Sequence, residues 1–180
     1  MNFLSALRRA PERLLHAHRR SKAIARIRHR DDPALVLVVC HGNICRSPFA
    51  EKFLQQVLGP RGIQVASAGF IGPGRPAPSE AIDAAGARGV DLSHHRSRLL
   101  TPDVVAAADI VIVMDIGQAG EIRRRFGRSR RDIVLLGDLD PEPILTRHVR
   151  DPVYQPISVF TDVYARIERC CRALADALPG

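Results

Sequence analysis

Residues 34–48 read ALVLVVCHGNICRSP, and the fold follows from the change of character at Cys40. From Ala34 to Val39 the run is continuously apolar and rich in valine, the pattern of a strand buried on both faces of a parallel sheet. A turn at residues 40–46 then leads to Ser47, placed to cap a helix with Pro48 at its first position and Glu51 nearby. That helix is expected to run to Leu58, ahead of Gly59-Pro60. Further along, residues 63–67, 108–114 and 133–136 read as strands. Residues 79–87, 116–126 and 158–178 read as helices. The expectation is an α/β domain over residues 34–180, a four-stranded open parallel sheet flanked by helices on both faces. Such sheets bind ligands at the carboxyl ends of their strands, which is where the turn after Val39 lies.

Composition narrows the class. With 180 residues and 46% hydrophobic side chains, one domain can bury a core without disulfides or metal. Four cysteines, two of them the neighbours Cys170 and Cys171, do not form a disulfide framework, and a reducing, cytoplasmic setting is expected. No apolar run approaches the ~18 residues needed to cross a bilayer. The net charge of +8 is uneven: residues 1–33 carry nine basic and three acidic side chains. The body is therefore close to neutral.

Residues 1–33 read as a basic amphipathic extension. Phe3, Leu7, Ala10, Leu14, Ala17, Ser21 and Ile24 form a narrow, mostly apolar stripe, interrupted by Pro11. The reading adopted is a solvated tail or loose helix. Peripheral docking on an anionic membrane or an acidic partner protein is the functional alternative, and a cleavable targeting segment the third. Aromatic residues are 4% of the chain and only Phe3 lies in the extension, so the stacking platforms of specific nucleic-acid recognition are missing.

Between strand and helix lies Cys40-His41-Gly42-Asn43-Ile44-Cys45-Arg46-Ser47. Five residues between a cysteine and an arginine let the backbone curl into a cradle of inward N–H groups, with Gly42 expected to relieve the strain. The following helix adds its positive end. A tetrahedral oxyanion fits such a cradle. Cys40 then stands as the nucleophile, Arg46 as a bidentate clamp on two anion oxygens, and Ser47 as a hydrogen-bond partner of the sulfur.

The stretch from Val38 to Glu51 resembles the signature of the low-molecular-weight protein tyrosine phosphatases. The resemblance continues through Ser67-Ala68-Gly69, Ser93-His94, Val113-Met114-Asp115, Leu135-Leu136-Gly137, Asp151-Pro152 and residues 160–173, and covers residues 34–178. It implies a cysteine-dependent, metal-independent enzyme without cofactor that hydrolyses phosphotyrosine through a phosphocysteine intermediate. Cys40 would be the nucleophile, Arg46 the clamp and Asp151 the general acid, with Asn43 and His94 bracing the loop. It also implies a reversible Cys40–Cys45 disulfide that shields the nucleophile. Bacterial relatives with this motif set accompany tyrosine kinases of polysaccharide export, so a phosphotyrosine protein of that kind is the implied partner. A phenolate is a poor leaving group at neutral pH, so a carboxyl such as Asp151, stiffened by Pro152, must protonate it. The family usually places an aromatic after Asp-Pro. This chain has Val153, with Tyr154 next, and the opposite wall is left to Phe70 and Ile71. Ile44 is the residue expected of a tyrosine-directed member, where phosphoarginine-specific relatives carry a smaller threonine.

Three rival readings remain open at this point. Arsenate reductases share the fold and loop but need a redox cysteine pair soon after the third strand, and no cysteine lies between Cys45 and Cys170. Asp138-Leu139-Asp140 has the spacing of a magnesium-dependent aspartyl phosphatase, yet Pro141 and Glu142 follow it, and a solvated loop is the preferred reading. A catalytically silent phosphate-binding module, docked by its basic extension, is the rival from outside enzymology.

Overall fold

The structure, a computed structural model, describes residues 3–30 and 33–179, with side chains in the first helix from Leu15 onward. Four parallel strands form one sheet in the order β2-β1-β3-β4: β1 Leu35–Cys40, β2 Gln64–Gly69, β3 Ile110–Val113 and β4 Ile133–Leu135. From central β1 the chain steps out to β2 on one side and returns to β3 on the other. The strand order thus reverses at the carboxyl end of β1, the place where open α/β sheets open a crevice.

Alternation along β1 feeds two cores. Val36, Val38 and Cys40 face α2 (Arg46–Leu58) and α6 (Ile157–Ala177), meeting Phe49, Leu54, Phe160 and Tyr164. Leu37 and Val39 face the other way, into a cluster with Val105 of α4 (Pro102–Ala107) and Ile122 of α5 (Ile116–Phe126). Burial on both faces is why the run at 34–39 lacks a polar alternation. The third helix, α3 (Ser79–Gly86), lies against α6. Helix α4 escaped the sequence reading because it is a single turn and a half. Its signals are local: Thr101 accepts a hydrogen bond from Val104 N, and Pro102 takes the first position. Ser47, expected as the cap of α2, lies inside the helix with its hydroxyl turned to Cys40. Cys45 holds the cap position without a side-chain bond.

The extension differs most from expectation. Helix α1 (Phe3–Arg28) runs unbroken through Pro11 and lies on the body. Among its described side chains the buried ones are His16, Ala23 and Ile27, whereas Ala17 and Ser21 of the expected stripe are exposed and Ile24 is half-buried; Phe3, Leu7, Ala10 and Leu14 of that stripe lie outside the described side chains. One residue is about 100° of helix rotation, so the working face is turned roughly that far from the apolar stripe. The arginines explain the shift. Arg26 donates to the carbonyls of Arg130 and Ile133, and Arg30 donates to those of Asp109 and Arg131 and to the Asp132 carboxylate. His16 Nε2 meets the Asp140 carbonyl at 2.9 Å. Side chains that look like a solvated basic coat are donors to backbone acceptors along the β4 edge and the turns beside it.

Asp138 and Asp140 are likewise buried rather than solvated. Arg147 grips Asp138 through two bonds of 2.7 Å, and Arg166 and Arg169 converge on Asp140. A metal-dependent role for this pair fails because the carboxylates are already committed to arginines.

Ile27 is 1% exposed at the α1–body contact. Ile27→Ala is expected to lower stability by about 2–4 kcal/mol, read as a fall in the urea midpoint at unchanged m-value.

Candidate active site

The loop from Cys40 to Arg46 is shaped by where its carbonyls go. His41 O accepts from Phe70 N at 2.8 Å, Gly42 O from the Arg75 guanidinium at 2.8 Å, Asn43 O from His95 Nε2 at 2.7 Å, and Cys45 O from the Tyr164 hydroxyl at 3.3 Å. A trans peptide sets the following N–H opposite each carbonyl, and no cis bond occurs among the described residues. Outward carbonyls therefore turn the amides of residues 42, 43, 44 and 46 inward. The Asn43 amide is seen doing so, 3.3 Å from Cys40 Sγ. The result is an anion-binding nest at the start of α2.

Asn43 holds the loop together. It takes the left-handed conformation, φ 50°, that was expected of Gly42, and asparagine tolerates this better than other side chains. Its Oδ1 accepts from Arg98 N at 2.8 Å, which fixes the amide orientation, and Nδ2 donates to Ser47 Oγ at 2.9 Å and Ser67 Oγ at 2.7 Å. Ser67 passes its own proton to Glu51 Oε2 at 2.6 Å. Because Ser47 Oγ accepts from Asn43, its single proton points to Cys40 Sγ, 3.0 Å away. Glu51, 4% exposed, also takes an ion pair from Arg98. Gly42 leaves room for the Arg75 guanidinium: an added Cβ would stand 2.8 Å from its terminal nitrogen, and the arginine would have to shift. At Gly69 the demand is stricter, since a Cβ there would strike the loop backbone at Asn43 N and His41 O.

The bracing histidine is His95, not His94. Asp91 Oδ1 accepts from Ser93 N in a tight turn that leaves His94 in solvent and brings the next side chain inward. Burial holds the His95 pKa below the usual histidine value against the opposing pull of the Asn43 carbonyl. The neutral ring with its proton on Nε2 is the form that donates to that carbonyl.

Arg46 is 4% exposed. It donates to Val149 O at 3.0 Å and pairs with Asp151, while its Nε is buried without a partner. Asp151 is 45% exposed in its side chain and arrives on a strap held by Arg166, which donates to Thr146 O and His148 O. Val149 N donates to Met114 O, tying the strap to the end of β3. The strap crosses Gly137 so closely that a Cβ there would lie 2.0 Å from Arg147 O.

Above Cys40 opens a cleft of about 370 Å³ lined by His41, Arg46, Ile71, Asp151, Val153 and Tyr154. Tyr154 is 99% exposed with φ 62°, a strained presentation for a tyrosine. Phe70 does not line this cleft. It lines a neighbouring lobe of about 620 Å³ that shares His41, Arg46, Ile71 and Asp151, and it lies under Arg125. Cys45 is a buried free thiol whose pKa is raised, chiefly by burial and then by Cys40. Cys170 and Cys171 are fully buried in α6, Cys170 pushed up to about 12 by burial and Asp140. They are core residues, out of reach of a redox relay. Among the described residues no group of His, Cys, Asp and Glu could hold a metal ion, and no helix is long and apolar enough to cross a membrane.

Sequence reasoning missed His95, Arg75, Arg98, Tyr164 and the pairing of Glu51 with Ser67. His95, Arg75 and Arg98 lie in irregular segments, where periodicity carries no signal, and Ser67 in β2 and Glu51 in α2 meet across 16 positions.

Comparison with known proteins agrees with this geometry. The model of the low molecular weight phosphotyrosine protein phosphatase family matches residues 35–179. A probable low molecular weight protein-tyrosine-phosphatase, EpsP of Ralstonia nicotianae, is 38% identical over 136 residues, 74% of this chain and 88% of that protein. The solved structure of Vibrio vulnificus Wzb in complex with benzylphosphonate superposes with a TM-score of 0.72 at 32% identity, covering 80% of this chain and 98% of Wzb. The YwlE arginine phosphatase from Geobacillus stearothermophilus has a TM-score of 0.71 at 29% identity, covering 80% and 92%. The chain belongs to the low molecular weight phosphotyrosine protein phosphatase family. It is a hydrolase, a cysteine-based protein tyrosine phosphatase.

Asn43→Gly keeps the left-handed backbone but deletes three side-chain hydrogen bonds, for an expected loss of about 2–4 kcal/mol in urea unfolding. Asn43→Ala is expected to fall further, because a Cβ at positive φ adds strain.

Proposed function

We propose that Cys40 is the nucleophile of phosphotyrosine hydrolysis, Arg46 its phosphate clamp and Asp151 its proton donor. One observation carries this reading: the Cys40 sulfur receives the Ser47 hydroxyl and the Asn43 amide, beside a buried guanidinium whose Nε has no partner. Both donors stabilise a sulfur anion, and the guanidinium awaits more acceptors than the protein supplies.

In the first step Cys40 Sγ attacks phosphorus in line, the bond from phosphorus to the phenolic oxygen breaks, and the Asp151 carboxyl protonates the departing oxygen. In the second, water attacks the phosphocysteine, the Asp151 carboxylate takes its proton, and the S–P bond breaks to return the sulfur anion. Inward amides and Arg46 hold the equatorial oxygens throughout. Arg46 and Asp151 pair directly before substrate arrives. A phosphate dianion competes for the guanidinium and releases the carboxyl toward the leaving group.

Ile71, Val153 and Tyr154 are the proposed walls for the phenyl ring, with Ile44 favouring tyrosine over arginine phosphate. Residues 34–180 form the catalytic unit, with α1 built onto it. The substrate is a phosphotyrosine protein. The family resemblance supports an autophosphorylated bacterial tyrosine kinase of polysaccharide export as the partner, and four free thiols favour a cytoplasmic setting.

Cys40→Ser is expected to retain vanadate binding while turnover of p-nitrophenyl phosphate, assayed with chelator present, disappears; persisting turnover would move the nucleophile elsewhere. For Asp151→Asn the expected loss in kcat is about 10²–10⁴ on phosphotyrosine and much less on an activated aryl phosphate. Equal losses on both would make the carboxylate structural.

A further inference from the structure

A groove of about 1170 Å³ lies between α1 and the edge formed by β4, the turn before it and α5. Its wall carries Lys22, Arg26, Arg123, Arg130 and Arg131. Among the described residues three carboxylates also line it, and each is already used. Asp132 pairs with Arg30, Asp138 pairs with Arg147, and Asp109 Oδ2 accepts the amides of Ala34 and Leu35. Lys22, Arg123, Arg130 and Arg131 make no ion pair among the described residues. Arg26 directs both terminal nitrogens to carbonyls and keeps Nε buried without a partner. Burial, and then the neighbouring Arg130, hold its pKa below the usual arginine value. Cations crowded on a concave wall repel one another, and an anion seated among them relieves that cost.

We propose that this groove is an exosite for an acidic, extended segment of the phosphoprotein substrate. The shape favours a peptide. A bilayer meets flat or convex surfaces bearing apolar side chains to insert, whereas these cations line a recess. Among the described residues no Phe, Tyr or Trp lines the groove, so it offers nucleic-acid bases no stacking platform. Placement favours a substrate. Asp115, Gln118, Glu121 and Arg125 of the α5 region line the lobe beside the catalytic cleft, while Ala119, Gly120 and Arg123 line the groove. One helix, ~10–12 Å thick, separates them. A chain extended at ~3.3 Å per residue spans that width in at least about four residues. An acidic stretch farther than that from the phosphotyrosine, with the lobe as well as the helix to cross, reaches the groove while the phosphate sits over Cys40. Only the word substrate rests on the phosphatase reading; capture of an acidic peptide does not.

The test separates the two. A fluorescein-labelled, Glu-rich peptide without phosphate is titrated with the full chain and followed by anisotropy. We expect salt-sensitive binding that falls about tenfold or more in the combined variant Lys22→Glu, Arg123→Glu, Arg130→Glu. The control variant Arg28→Glu, Lys52→Glu, Arg172→Glu changes net charge equally away from the groove, and should bind nearly as the parent does. On a phosphotyrosine peptide with an acidic tail the groove variant should raise KM about fivefold or more at unchanged kcat, with p-nitrophenyl phosphate turnover unaffected. Absent binding, equal loss in both variants, an unmoved KM, or tighter groove-dependent binding to phosphatidylserine vesicles or duplex DNA would each overturn the exosite. A failed Cys40→Ser test would instead remove the phosphatase reading and leave the anisotropy result standing.

Discussion

One primary amide, that of Asn43, organises the catalytic loop. It accepts one backbone proton and donates to two serines, and this fixes the direction of every proton between Glu51 and the Cys40 sulfur. A hydroxyl alone is free to rotate and could accept from the sulfur's surroundings as readily as donate. With Asn43 occupying its lone pair, Ser47 has one direction left for its hydrogen. The sulfur is therefore met by a donor before any substrate arrives, which is the preorganisation that anion chemistry requires.

Around that amide the body acts as a scaffold of outward tethers. Each tether comes from a different element: Phe70 from the end of β2, Arg75 and His95 from the segments around α3, Tyr164 from α6. Phe49 stacks on Tyr164 at 4.1 Å and fixes the ring that holds Cys45 O. Distributing the tethers means that no single helix shift opens the nest. It also places the floor of the site in the rigid core, while Asp151 and Tyr154 stand on irregular backbone at the rim. Under the proposed mechanism, a cradle built into the core and a proton donor on the rim would suit the two demands of the reaction, since phosphate geometry is constant and leaving groups vary.

The sheet, its four strands and four of the six helices, α2, α3, α5 and α6, were legible because burial on both faces or on one face leaves a periodic trace. That Cys40, Arg46 and Ser47 come together in one loop was legible for a different reason: strand, cradle and helix start fall within one short segment. What escaped depends on contacts distant in the chain. His95 rather than His94 is a question of how one turn ends, and Arg75 reaches Gly42 across 33 positions. Helix α1 misled because its apolar residues mark a stripe, while its burial follows hydrogen-bond acceptors on the body. Arginine carries both a charge that reads as solvated and five donors that seek carbonyls, and composition cannot say which will prevail.

The packing of α1 against α6 and the turn after β4, with Arg26 reaching the Ile133 carbonyl, has a consequence for anyone who would trim the chain to the part that matches its family, residues 35–179. Arg26 and Arg30 would leave with the helix, baring the Ile133 and Arg131 carbonyls and the apolar bed beneath Ile27. An open outer strand with unsatisfied acceptors invites strand-to-strand association. Trimming to the matched region would therefore be expected to favour self-association of this chain.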